Sequence, residues 1–452
     1  MSLRHPIATF VDRAVAWRGK RRFPRYLAEF RAMERWDAQT LQSWRFKRVQ
    51  ALIEHAYKTV PYWSEQLDRL GAKPGDFTAP EHVRLLPALT KDLINQLGDA
   101  LISRDPVRSR ISFNSTGGST GKNVWFLLDL ETQDRRRAAG RLTEEWDGVE
   151  PGTRTATVWG ASLDAKPSRA AQWYDRLTNK RFLSAYGVGL EKVGEYYAAL
   201  SRFKPDVISA YPSLLLHLAR QVGKDRCRAL GVRLIYTSAE ALYEPVREEL
   251  QELFGAAVRN RYASREFGMI ASDCPHGGGL HLMDMRLWTE TIPPMSVDAP
   301  GELVITDLDN YTMPLIRYRI EDTARFSTKP CDCGRSWTKL ATVDGRVLDV
   351  IVTPDGRAFG GTFFTLTLRP FDRSITQFQV IQERVEHLTV KIVPGVSWDL
   401  RKRAEVLETL NRQLGGGLQI DLIEVGEIAP LPSGKRRFVV SQIDPLQRAT
   451  PV

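Results

Sequence analysis

The sequence predicts an α/β protein: a large N-terminal α/β domain opening on a helical segment (residues 1–345), followed by a small α+β C-terminal domain (346–452). Three observations predict it. The first hundred residues carry apolar side chains at helical spacing. Apolar strand-like runs then alternate with helical stretches, the pattern of a sheet with ligands at the carboxyl ends of its strands. Past Gly345-Arg346 the pattern changes to two alternating runs, one amphipathic helix and a further strand, enough for a small separate domain.

In order, Val49, Leu52, Ile53, Ala56, Tyr57 and Val60 share one helix face that Pro61 ends. Thr90-Lys91-Asp92-Leu93 reads as a capped helix start. Residues 155–159, 206–210, 234–237 and 258–262 are buried-strand candidates. The second is followed by a helix over 214–222 and the third by one around 246–253. The turns Gly160-Ala161-Ser162, Ser238-Ala239-Glu240 and Ser264-Arg265-Glu266 fall at the strand ends. In the last hundred residues, strands at 378–381 and 388–392 precede a helix with Leu400, Ala404, Leu407, Leu410 and Leu414, which Gly415-Gly416-Gly417 stops. A strand at 418–424 and a basic tail, Ser433-Gly434-Lys435-Arg436-Arg437, follow.

With 452 residues, 42% hydrophobic and 26% charged, the chain has the composition of a globular protein with a large core. No apolar run reaches the roughly 18–20 residues of a membrane span. Arg4, His5, Asp12 and Arg13 break up the N-terminus, so no secretory signal is visible and a cytoplasmic location is expected. The net charge of +10 suits polyanionic ligands such as ATP or coenzyme A. No zinc-finger, RRM or homeodomain spacing is present, so nucleic acid is not the expected partner. Phe10, Val11, Ala14 and Val15 beside Arg13, Arg18, Lys20, Arg21 and Arg22 form a basic amphipathic segment, which either touches a membrane or packs on its own domain.

The stretch Ser115, Thr116, Gly117, Gly118, Ser119, Thr120, Gly121, Lys122 holds four hydroxyls, three glycines and a lysine between two β-like runs. Glycines let backbone N–H groups approach a ligand, and hydroxyls with a lysine make an anion site. It is not a P-loop: Thr116 stands where the first glycine is required and Asn123 where Ser or Thr should follow. A plain Gly/Ser hairpin is the alternative. Four more polar elements join it. Tyr262 through Gly268 offers Glu266, a carboxylate suited to magnesium. Asp322 after a strand can take both ribose hydroxyls. Arg346 of Asp344-Gly345-Arg346 could reach phosphate or ribose. Lys435 on its glycine turn can meet developing negative charge.

Together these elements resemble the adenylate-forming acyl-CoA synthetases, and most closely the phenylacetate–coenzyme A ligase family with its relatives in polysaccharide and natural-product gene clusters. His55-Ala56-Tyr57-x-x-Val60-Pro61-Tyr62-Trp63, Leu86-Pro87-x-Leu89-Thr90-Lys91, residues 114–122, Gly301-Glu302-Leu303-Val304-Ile305-Thr306 and Met313-Pro314-Leu315-Ile316-Arg317-Tyr318-Arg319 carry the likeness, which covers about residues 40–440. The resemblance implies that a carboxylate attacks the α-phosphate of Mg-ATP and that a thiol, usually coenzyme A, then displaces AMP. An amine or hydroxyl acceptor is the alternative. It implies that residues 115–122 cradle the β- and γ-phosphates, that Ser238, Ala239, Glu240 and Tyr262 flank the adenine, that Glu266 holds magnesium, and that Asp322 and Arg346 hold the ribose. Lys435 serves adenylation, and the small domain is mobile, turning about residues 345–349. Two positions depart from the family: Arg265 stands where Thr is usual, and Ile320-Glu321-Asp322 replaces Thr-Gly-Asp. A homodimer is compatible with the family.

Cys274 and His281, with Cys331 and Cys333 fifty residues on, make a closed three-thiolate, one-imidazole zinc set; His276 is the alternative fourth ligand, and buried free cysteines the alternative reading. The resemblance implies a small carboxylic acid as substrate. Its pocket is expected around 159–163, 209–213 and 237–240, where Trp159, Tyr211 and Tyr236 hint at an aromatic acid or else belong to the core.

Overall fold

The computed structural model describes residues 4–19, 21–105, 111–115, 124–159, 169–184, 193–292, 301–346, 350–354, 358–360, 364, 367–371, 374–395, 397–414, 417–429 and 438–443. The N-terminal segment is helical, with α1 (Arg4–Arg18), α2 (Phe23–Met33), α3 (Ala38–Thr59), α4 (Pro61–Arg69) and α5 (Lys91–Leu97). Asp37 caps α3 by accepting from the Thr40 amide at 2.8 Å. Leu41, Val49, Leu52, Ile53 and Ala56 line its buried face. Pro61 does more than end this helix: α3 stops at Thr59, and Pro61 occupies the first turn of α4, where its missing N–H costs nothing. Thr90 caps α5 through the Leu93 amide at 3.2 Å, the start expected from sequence.

β1 (Ser112–Ser115) and β2 (Trp125–Leu128) form an antiparallel hairpin with Ser115 opposite Trp125. α6 (Leu130–Trp146), β3 (Thr155–Trp159), α7 (Arg169–Leu177), β4 (Lys180–Ser184), α8 (Val193–Phe203), β5 (Val207–Ala210), α9 (Pro212–Val222), α10 (Lys224–Arg228), β6 (Leu234–Ser238), α11 (Glu244–Phe254) and β7 (Ala257–Ser264) follow. β4, β3, β5, β6 and β7 are parallel neighbours. The chain then turns antiparallel through β8 (Gly268–Asp273), β9 (Leu280–Leu282), β10 (Leu287–Ile292), β11 (Gly301–Asp307), β12 (Tyr318–Ser327) and β13 (Lys339–Arg346). All belong to one 11-stranded sheet of order β10-β11-β12-β13-β9-β8-β7-β6-β5-β3-β4. The antiparallel half and β4 are additions to the strands expected from sequence.

Beyond β13 lie the short pair β14 (Val350–Val352) and β15 (Ala358–Gly360). A second sheet, ordered β18-β17-β16-β19, contains β16 (Ile375–Arg384), β17 (His387–Pro394), β18 (Gln419–Glu424) and β19 (Val439–Ser441). With α12 (Leu400–Leu414) it closes a core of its own around Val380, Leu388, Val390, Val406, Leu410 and Leu414. The fold is α/β with a small α+β unit at the C-terminus, as the sequence pattern predicts.

Candidate functional site

The site is built on the turn between β7 and β8. A reversal this tight leaves the carbonyls of Arg265, Glu266 and Phe267 without ladder partners. Two arginines supply them. Arg136 of α6 donates to Arg265 O at 3.0 Å, to Glu266 O, and to Asp307 Oδ2 at 3.0 Å. Arg286 donates to Phe267 O at 3.0 Å and to Asp309 Oδ2 at 2.8 Å. Burial pushes the Arg136 guanidinium below its ordinary range, with Asp307 opposing the shift. Gly268 sits at φ +68°, and a Cβ there would meet the Arg136 side chain at 3.3 Å, so the turn needs glycine twice over.

Glu266 is thereby fixed with its carboxylate buried, accepting from the Tyr318 hydroxyl at 3.2 Å. Burial, followed by the Glu266 charge, raises the Tyr318 phenol well above its usual value, so it stays a donor. The Tyr262 hydroxyl donates to Asp322 Oδ2 at 2.6 Å. β7 and β12 have three strands between them, a separation of about 19 Å in a flat sheet. The Tyr262–Asp322 bond therefore requires the sheet to curl back on itself, and this curl brings residues 60 positions apart together. Asp322 is also directly opposite Arg346 in the β12–β13 ladder, which pairs the two expected ribose ligands by register.

The sequence motif Leu86-Pro87-x-Leu89-Thr90-Lys91 now has a structural role. Leu89 bridges to β12, its N–H donating to Arg317 O and its carbonyl accepting from Arg319 N, both at 2.9 Å. Lys91, almost wholly buried, pairs with Glu321. Glu321 takes the left-handed conformation (φ +67°) at the position where the family has glycine. Arg317, also left-handed (φ +53°), is buried against Glu290 at 2.7 Å and the Arg84 carbonyl at 2.8 Å.

Of the glycine-rich loop, Ser115 is described, and Arg265 Nη1 donates to its carbonyl at 3.0 Å. The departure from Thr at 265 thus puts a guanidinium across the root of that loop. Thr116, Gly117, Gly118, Ser119, Thr120, Gly121, Lys122 and Lys435 lie outside the described residues, as do 160–163 of the expected acid pocket. Phe438, three residues after Lys435, packs its ring edge against Tyr243 (centroids 6.2 Å, 69°) and lies 5.5 Å from Phe378. Tyr243 itself follows Ser238-Ala239-Glu240, where Ala239 is left-handed (φ +70°). Phe438 is therefore seated beside Tyr243, three residues beyond the segment expected to flank the adenine.

Among the expected pocket aromatics, Trp159 and Tyr211 lie in tilted contact, ring centres 4.5 Å apart, at the carboxyl ends of neighbouring β3 and β5. Tyr236 is a core residue instead: its hydroxyl donates to Asp147 at 3.1 Å, and the Arg261 guanidinium lies 3.3 Å from its ring centre. Sequence reasoning missed Arg136, Arg286 and Lys91 as supports. Nothing local in Arg135-Arg136-Arg137 marks the middle residue as the one that reaches the β7–β8 turn.

Cys274, His281, Cys331 and Cys333 bring four donor atoms within 4.8 Å of one another. Cys274 Sγ and Cys331 Sγ are 3.5 Å apart, and Cys333 Sγ and His281 Nε2 3.3 Å. A tetrahedron with metal–sulfur bonds of about 2.3 Å has edges of about 3.4–3.8 Å, so this donor set fits zinc and leaves no open position. Gly277, Gly278 and Gly279 all have positive φ between the first two ligands, and a Cβ on Gly279 would lie 2.5 Å from Leu340 O. Burial pushes the Cys274 thiol up to about 12 and the His281 imidazole down to about 4. His276 is not in the set; Cys227 is buried elsewhere, its thiol raised to about 11 by burial.

Residues 351–442 match the model of the CapK C-terminal domain. Protein CapK of Staphylococcus aureus is 24% identical over 413 residues, 90% of each chain. A phenylacetate-coenzyme A ligase of Thermus thermophilus is 24% identical over 419 residues, 86% of each chain. Among solved structures, 2-hydroxyisobutyryl-CoA ligase in its postadenylation state with 2-HIB-AMP aligns with a TM-score of 0.75 at 17% identity over 91% of both chains. The same ligase in its thioesterification state aligns with 0.60 at 18% identity over 92% of both. The resemblance read from the motifs is borne out: the chain is a relative of the phenylacetate–coenzyme A ligases and has the fold of adenylate-forming CoA ligases.

Proposed function

We propose that the chain is an AMP-forming acid–thiol ligase. It activates a small carboxylic acid with ATP through an acyl-adenylate and passes the acyl group to a thiol, most simply that of coenzyme A. One observation carries the reading: hydrogen bonds from Tyr262 to Asp322, Tyr318 to Glu266 and Arg265 to the Ser115 carbonyl tie the β7–β8 turn to β12 and to the root of the 115–122 loop. Ligases of this name among its relatives support it.

In the first step a substrate carboxylate oxygen attacks the α-phosphorus of ATP, the bond to the bridging oxygen breaks, and pyrophosphate leaves. In the second a thiol attacks the acyl carbon and AMP leaves. The chain's own work is positioning and charge. Asp322, held by Tyr262, takes the ribose with Arg346 opposite it. Ser238, Ala239, Glu240 and Tyr262 flank the base. Ser115 through Lys122 hold the β- and γ-phosphates. Lys435 neutralises the carboxylate and bridging oxygens during adenylation, and the division at 345/346 lets the small domain turn between half-reactions. Glu266 is the residue that would hold magnesium, whose charge offsets that of the polyphosphate when bound. The Cys274, His281, Cys331, Cys333 set holds a structural zinc. Trp159 and Tyr211 wall the acid pocket and favour an aromatic acid.

The second reading keeps the adenylate but uses an amine or hydroxyl acceptor. The match to the CapK C-terminal domain is compatible with it. A panel of carboxylic acids with ATP, read for AMP, tests the first step. Coenzyme A against amine and sugar acceptors, with the best acid, separates the two readings. Absence of acid-dependent AMP with every acid overturns both.

A further inference from the structure

Six of the twelve large apolar side chains exposed among the described residues come from three neighbouring elements. Ile7, Phe10 and Trp17 of α1 are 51, 71 and 85% exposed, Trp173 and Leu177 of α7 are 63 and 44%, and Phe182 of β4 is 43%. α1 and α7 are joined through Asp12, which accepts from the Tyr174 hydroxyl and from Arg137 of α6 at 3.3 Å. β4, which follows α7, is the terminal strand of the large sheet. On α1 the exposed residues Ile7, Phe10, Ala14 and Trp17 recur at spacings of three and four, forming one stripe, while Ala8 is buried and Asp12 turns toward α6 and α7.

The sequence of these segments and of the start of α2 concentrates charge, with Arg21 held by Asp134. Residues 1–28 contain seven Lys or Arg (4, 13, 18, 20, 21, 22, 25) and one acid, Asp12, a net +6. Residues 169–184 contain four (169, 176, 180, 181) and one acid, Asp175, a net +3. These 44 residues thus carry +9 of the chain's +10, leaving the other 408 close to neutral. Arg18, Arg22, Arg25, Arg176, Lys180 and Arg181 are exposed, whereas Asp12 is engaged and Asp175 half-buried.

We propose that this face, α1 with α7 and β4, is a docking surface for an anionic phospholipid bilayer, on which the protein sits peripherally. Aromatic and aliphatic side chains set among Arg and Lys are what the headgroup–acyl boundary accepts: rings settle at the interface while the cations meet lipid phosphates. No described helix is long and apolar enough to cross the membrane, so the attachment is to its surface. A second copy of the chain would bring like charge against like charge at this face. A polyanion without an apolar phase would leave Ile7, Phe10 and Leu177 in water.

The test is flotation of the full chain with vesicles of phosphatidylcholine alone or with about 30% phosphatidylglycerol, at about 0.05 M and about 0.5 M salt. The expected result is partitioning onto anionic vesicles, at least about tenfold weaker on neutral ones and on raising the salt. The double substitution Phe10→Ser, Trp17→Ser weakens it by about tenfold or more with the melting temperature unchanged, and Arg176→Glu, Arg181→Glu does likewise. Three results overturn the proposal: no binding to anionic vesicles at low salt, binding indifferent to Phe10→Ser, Trp17→Ser, or a dimer that these substitutions split while vesicles are ignored.

Discussion

Replacing Arg136 with Met should damage both the stability of the protein and the placement of Glu266. The guanidinium makes three contacts, to Arg265 O, Glu266 O and Asp307 Oδ2. Two turn carbonyls lose their donors, at about 1–3 kcal/mol each when buried, with the Arg265 end discounted because that residue is exposed. Asp307 keeps a weaker partner in Arg286 at 3.6 Å, so its charge is not wholly abandoned. Breaking one buried pair costs about 3–5 kcal/mol, which bounds the total. For a chain of this size that is a fall in melting temperature of roughly 3–7 °C. A carboxylate displaced by about 1 Å loses on the order of a hundredfold in rate. Arg136→Lys keeps the charge beside Asp307 but cannot fork to two carbonyls, and should fall between. Differential scanning calorimetry and acid-dependent AMP formation measure the two effects. Arg136→Met melting within about 1 °C of wild type with activity intact would refute the claim that this arginine builds the site.

Three further outcomes follow from the geometry. Tyr262→Phe removes the 2.6 Å bond to Asp322 and should raise the KM for ATP about tenfold with little change in melting temperature; an unchanged KM would remove Asp322 from the ribose. Gly279→Ala forces a Cβ to 2.5 Å from Leu340 O at φ +118°, and should lower both melting temperature and metal content. Elemental analysis should find one zinc per chain, lost in a Cys274→Ser, Cys331→Ser double variant; a full complement of zinc in that variant contradicts the assigned ligands.

Four of the five parallel strands were legible because each is an apolar run ending in a turn; the fifth, β4, is Lys180-Arg181-Phe182-Leu183-Ser184 and largely exposed. The antiparallel half was not legible, because its strands hide charge. Arg286, Glu302, Asp307, Arg317 and Arg319 are paired inside or beside the core, and their pairing breaks the alternation that marks a strand. β19 escaped notice because Val439 and Val440 follow a run of basic residues and pair with the distant β16. At the site, motif likeness supplied Tyr262, Glu266, Asp322 and Arg346 as candidates. The Tyr262–Asp322 bond depends on how the whole sheet curls, and no local pattern encodes it. Arg136 was hidden more deeply, since three consecutive arginines on a helix look like a wet surface until the Asp307 and Asp309 strand is set against them. The Cys274, His281, Cys331 and Cys333 cluster was the easiest to find, its donor chemistry being stated by residue type alone.

The central claim is that these motifs form one adenylating site, and isotope exchange between labelled pyrophosphate and ATP tests it most directly, because exchange reports the first half-reaction alone. Exchange should depend on a carboxylic acid and fall by about a hundredfold or more in Lys435→Ala, while transfer from a supplied acyl-adenylate survives. Exchange untouched by Lys435→Ala, or none with any acid, would contradict it.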